Sequence, residues 1–137
     1  MNVVDSSAWI EYFINGPNAP VFDAPIQDSA SLLVPTIVML EVYRYVLRER
    51  GREHALTVAA AMRQGRALEL DEALAIEAAE LGASRGLSLA DSIIYASSVL
   101  HEATLWTQDA GFKGLEGVEY RPKRPPVTPR PQSGLTK

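Results

Sequence analysis

Apolar and polar positions along this chain switch repeatedly between a strand-like and a helix-like period. Val3 and Val4 form a short apolar pair closed by Asp5, which predicts a buried strand over residues 2–5. Ser6 or Ser7 can cap a helix running to about Ile14, and Gly16-Pro17-Asn18 breaks it. A second helical piece covers Ala19 to Gln27, and SLLVP is a short apolar strand ended by Pro35. Helical spacing then holds from Thr36 to Arg50 and stops at Gly51. Arg52 to Gln64 is an alanine-rich partner helix, and RALEL alternates as a short strand. Glu72 to Arg85 is amphipathic and ends at Gly86, and Ser88 starts a further helix through about Leu100. TLWTQ and GVEY close the series as strands. This alternation predicts an α/β fold with a central, mainly parallel β-sheet flanked by α-helices.

Composition narrows the class. A chain of 137 residues suits one domain large enough to bury a core. Its 47% hydrophobic and 22% charged residues exclude wholesale disorder. The absence of cysteine excludes disulfides and thiolate metal sites and is compatible with a reducing compartment. Asp5 and Glu11 come too early for the basic start of a signal peptide. The longest charge-free stretch, Ser29 to Leu40, contains Pro35 and is too short to span a bilayer. A soluble, cytoplasmic protein without membrane attachment is expected.

The net charge of −4 conceals an asymmetry. From Arg121 onward there are five basic residues and no acid, which leaves residues 1–120 at about −9. Five of the nine prolines fall in residues 122–131, so residues 1–121 are expected to form the domain and 122–137 a mobile, proline-rich basic tail. An acidic body is not that of a uniformly basic nucleic-acid binder. Solubility alone is the plain account of it.

Particular carboxylates offer another. Asp5 ends one predicted strand and Asp109 closely follows another, and ligands of parallel sheets gather beyond the carboxyl ends of strands. Each could equally be a helix cap. Asp91 lies three residues after Ser88, in the pattern of a capping box and the positive first turn of a helix. Glu41 interrupts an apolar helical stripe between Ile37, Val38 and Tyr45, where a carboxylate needs a partner. The plain alternative is an ion pair with Arg44 or Arg48.

The segments VVDSSAWI, TIVMLEVYRYVL, LSLADSIIYA and LWTQDAGF occur in that order. Together they resemble the four motif regions of PIN-domain ribonucleases, and most nearly those of VapC toxins from toxin–antitoxin pairs. The resemblance runs from Asn2 to about Tyr120 and leaves the basic tail unexplained. It implies that Asp5, Glu41, Asp91 and Asp109 form an acidic catalytic and metal site, supported by Ser6 and Thr107. It further implies an RNA substrate, a cognate antitoxin and a homodimer.

Oxygen donors alone select a hard ion such as Mg²⁺, with Mn²⁺ as a substitute. His54 and His101 lie far in sequence from the four motifs and read as surface or packing residues, so a two-histidine ribonuclease is not indicated. A metal-activated water attacking an RNA phosphodiester in line fits the donor set. RNA reaching an acidic pocket needs a basic rim, for which Arg44, Arg48, Arg85 and Lys113 are candidates. Two rivals stay open: a non-catalytic module of the same fold, and a phosphoacceptor receiver domain. The latter ordinarily pairs acids after its first strand, where this chain has Ser6 and Ser7.

Overall fold

A computed structural model describes residues 1–125. Five strands form one sheet: β1 (Asn2–Val4), β2 (Leu32–Pro35), β3 (Arg66–Leu68), β4 (Thr104–Thr107) and β5 (Val118–Tyr120). Their order is β3-β2-β1-β4-β5, and every neighbouring pair is parallel. The predicted α/β sheet is therefore present, parallel throughout. Among the described residues there are six α-helices: α1 (Ser6–Phe13), α2 (Ala19–Gln27), α3 (Thr36–Arg50), α4 (Arg52–Met62), α5 (Glu72–Arg85) and α6 (Leu89–Leu100). None is long and apolar enough to cross a membrane among the described residues.

The central strand carries the reason for its own burial. Val3, Val4, Leu33, Val34 and Leu105 on β1, β2 and β4 are fully buried, as near-continuous apolar runs covered on both faces should be. Trp9 of α1 and Phe112, just after β4, fill the same core. Helices begin where caps are available. Asp5 takes extended dihedrals and accepts the Ala8 N–H, Asp71 accepts the Leu74 N–H, and Ser88 accepts the Asp91 N–H. α5 ends at Gly86, whose left-handed φ of 67° carries no Cβ penalty.

Three departures from the pattern have local causes. RALEL pairs only through Leu68, because the Asp71 N–H bonds Glu69 O at 3.0 Å and turns the chain into the α5 cap. α4 closes at Met62 rather than Gln64, since Gln64 N and Gly65 N bond the carbonyls of Ala61 and Met62 in tightened turns. Pro122 and Arg124, placed by composition in the tail, are hydrogen-bonded to the body: Asn18 Nδ2 donates to Pro122 O at 2.9 Å and Arg124 Nη2 donates to Pro17 O at 2.8 Å. The rest of the expected tail, 126–137, lies outside the described residues.

Candidate active site

The order of the strands reverses at β1, with β2 on one side and β4 on the other. A parallel sheet opens a crevice at such a switch point, beyond the carboxyl ends of its strands. Asp5 follows β1 directly and Asp109 follows β4 by two residues. Helices of this topology start at the same edge, which brings in Glu41 from the second turn of α3 and Asp91 from the first turn of α6. All four line one cleft of about 750 Å³.

Asp5 is 3% exposed and held at both oxygens. Ser7 Oγ donates to Oδ1 at 2.8 Å, the Ala8 N–H donates to Oδ1 at 3.1 Å, and Thr107 Oγ1 donates to Oδ2 at 2.8 Å. The cap and site readings of Asp5 thus describe one side chain in both positions. Thr107 in turn accepts the Asp109 N–H at 2.9 Å, and Asp109 Oδ1 accepts the Gly111 N–H at 2.9 Å. Ser6 Oγ donates to Glu41 Oε1 at 2.5 Å. Glu41 has no ion pair with Arg44 or Arg48 among the described residues; Arg48 pairs with Glu49 at 3.0 Å instead. Only half of the capping box forms at Asp91: Ser88 Oγ accepts its N–H at 3.3 Å, while the Asp91 carboxylate lies in the cleft.

The electrostatics record how crowded these acids are. Burial is the largest cause lifting the Asp5 carboxyl from an ordinary 3.8 to about 7. Hydrogen bonds from Ser7, Thr107 and Ala8 oppose the rise, and the Asp109 charge adds to it. Asp91 is pushed up to about 6, first by burial, then by the charge and hydrogen bond of Asp109 and the charge of Glu41.

The donor set fits a hard divalent ion in kind: every candidate is an oxygen ligand, and repulsion among them is what a cation relieves. Asp91 Oδ2 and Asp109 Oδ1 also flank a common point, lying 3.4 Å and 3.2 Å from where a Gly111 methyl would sit. Among the described residues, however, no three acids or histidines are yet arranged as a closed ligand group. Asp91, Glu41 and Asp109 are half-exposed, which leaves their side chains room to turn inward.

Of the expected rim cations, Arg44 and Arg48 line the cleft, whereas Arg85 and Lys113 do not. Lys123 and Arg124 line it unexpectedly. His54 and His101 lie elsewhere, each with Nδ1 near a carbonyl one turn back, Arg50 O at 3.1 Å and Ser97 O at 3.0 Å. Sequence reasoning also missed Ser7, Glu11, Asn18 and Gln108. The last three are buried and hydrogen-bonded to one another. The pairing of a helix glutamate with a loop asparagine before Pro20 was the only available signal, and it is faint.

Fold and cleft together define a small, doubly wound α/β domain with an acid-lined crevice at its switch point. The family profile described as PIN domain matches residues 3–118. The chain belongs to the PIN-domain family, which removes the receiver-domain rival. No curated protein matches it by sequence. Among solved structures, a toxin–antitoxin complex from Klebsiella pneumoniae is 21% identical with a TM-score of 0.75, covering 87% of this chain and 96% of that one. VapC20 from Mycobacterium tuberculosis, described as a sarcin-ricin loop cleaving toxin, is 19% identical with a TM-score of 0.73, covering 89% and 100%. VapBC2 from Rickettsia felis, bound to a DNA fragment from their promoter, is 15% identical with a TM-score of 0.67, covering 87% and 97%. At these identities the likeness is one of fold.

Proposed function

We propose that this protein is a metal-dependent endoribonuclease and the toxin of a VapBC-type pair, hydrolysing RNA phosphodiester bonds in the cytoplasm. The observation that carries the reading is the convergence of Asp5, Glu41, Asp91 and Asp109, from four separate segments, on one cleft. Family membership and the toxin titles of the structural neighbours support it. Asp5, Glu41, Asp91 and Asp109 would hold Mg²⁺ or Mn²⁺. When bound, such an ion supplies a Lewis acid for the phosphoryl oxygen and lowers the pKa of the attacking water.

The chain's own residues do the positioning. Ser7, Thr107 and the Ala8 N–H fix the Asp5 carboxylate, so it does not need to reorganise when substrate arrives. Ser6 ties Glu41 of α3 to the start of α1. Arg44 on the rim offers a charge to the RNA backbone. Two apolar grooves offer surfaces of the kind an antitoxin and a second subunit need. One runs between α3 and α4 past Leu40 and Leu47, the other between α5 and α6 past Leu70 and Leu89.

Purified protein should cleave RNA in Mg²⁺, lose that activity in EDTA, and regain it on adding Mg²⁺ or Mn²⁺. Full activity in EDTA, with an identically prepared Asp109→Asn variant inactive, would sink the metal reading. The open ligand group favours a second reading, a non-catalytic module of the same fold. That reading predicts no cleavage with either ion.

A further inference from the structure

Asn18 sits in the loop between α1 and α2, yet it is 3% exposed. A buried amide is costly unless its donors and acceptor are matched, and this one is matched across distant parts of the chain. Its Nδ2 donates to Gln108 Oε1 and to Pro122 O, each at 2.9 Å. Its Oδ1 accepts from Arg124 Nε at 3.1 Å, and Arg124 Nη2 donates to Pro17 O at 2.8 Å. The Asn18 N–H donates to Glu11 Oε2 at 2.7 Å, and Gln108 Nε2 lies 3.4 Å from Glu11 Oε1. Gln108 N reaches Ser7 Oγ at 3.3 Å, and that hydroxyl holds Asp5. The segment after β5 is therefore fastened to the network that positions the first site acid.

We propose that Pro122–Arg124 is a strap, latched by Asn18, that holds Lys123 and Arg124 at the cleft mouth to grip a phosphate of single-stranded RNA beside the cut bond. This rests on the ribonuclease reading above and adds a substrate contact from the segment after β5. The acidic floor repels a polyanion, so binding depends on cations fixed close to it. On the α3 side, Arg48 is engaged by Glu49 and stacks 5.4 Å from the Tyr45 ring centre. Arg124 uses Nε and one Nη on the body, which aims the rest of its fork and lowers the entropy cost of binding phosphate. Lys123 adds a mobile point charge at the same rim.

The test uses the full chain, silenced by Asp109→Asn, and fluorescein-labelled single-stranded RNA of mixed sequence in Mg²⁺. Binding is read by anisotropy over a range of salt concentrations. The Lys123→Gln/Arg124→Gln pair should bind more weakly and lower the salt slope by about 0.7, the value for one lost phosphate contact on a single strand. Asn18→Ala keeps every charge but frees the strap, so affinity should fall while the melting curve stays cooperative. Lys123→Arg should bind as the parent does. The surface pair keeps the test sound even if Asn18→Ala fails to fold. Unchanged affinity and slope in the pair would overturn the strap while leaving the nuclease reading to the cleavage assay. Pair-sensitive binding by a chain whose unsilenced form never cleaves would keep the strap and overturn the nuclease. No RNA binding by the parent would overturn both.

Discussion

In the metal-free protein Asp5 and Asp91 resist ionisation, and this gives their stability contribution a definite sign. Both carboxyl pKa values are raised above 3.8, to about 7 and about 6, so the folded state binds protons more tightly than the unfolded chain. Their contribution is fully present below the unfolded value and is lost as pH rises through the folded ones. Without a divalent ion, the melting temperature should fall between weakly acidic and neutral pH, and Mg²⁺ should restore much of the loss. Asp91→Asn removes one of the repelling charges at the expense of a helix-dipole contribution of up to about 1 kcal/mol. We expect the metal-free variant to melt at or above the parent at neutral pH, with a flatter pH dependence, less gain from Mg²⁺ and severely reduced cleavage. A variant that melts lower in both conditions yet cleaves normally would return Asp91 to a purely structural role. These acids were legible in sequence because each sits at a strand end, in a first turn or on an apolar stripe. Glu11, Asn18 and Gln108 were not, because a polar residue in a helix or loop reads as surface. Their burial comes from partners such as Asn18 and Gln108, 90 positions apart.

At the scale of elements, α5 and α6 pack more closely than ordinary side chains permit. A methyl on Gly82 would lie 2.1 Å from Ser92 Oγ and 2.8 Å from its Cβ. Ser92 is the next residue after Asp91, so this contact seats the start of α6 against the cleft. Gly82→Ala should gain roughly 1 kcal/mol of helix propensity but lose about 1–3 kcal/mol to overpacking. A lower melting temperature and slower cleavage are expected. Adding Ser92→Ala removes the nearest atom but leaves the Cβ, so it should recover part of the loss; strictly additive effects in a double-mutant cycle would exclude a shared clash. The helices themselves were readable from their spacing and their stops. Their close approach was not, because a glycine in an amphipathic run marks only a weak position until its neighbour is known.

For the whole molecule, the alternation of strands and helices made the α/β class legible, and the ordered motifs made the candidate site legible. Strand order and the seating of residues 122–125 were not, since both depend on pairings between distant segments. Composition alone made everything after Arg121 look like tail. Truncation after Arg121 takes Pro122 O and Arg124 away from Asn18 and leaves the amide with Gln108 and solvent. The melting temperature should drop by a few degrees, the equivalent of roughly 1 kcal/mol. An unchanged melt would mean that water replaces the strap at no cost.

The sheet order has one more consequence, which concerns synthesis. The strand that opens the chain ends up at the centre of the sheet, flanked by strands formed early and late. Asp5 emerges first from the ribosome, but its Thr107 support and the Asp109 beside it emerge about a hundred residues later. No nascent fragment that lacks β4 contains the cleft. The acid-lined cleft of this fold is therefore assembled only once the chain is nearly complete.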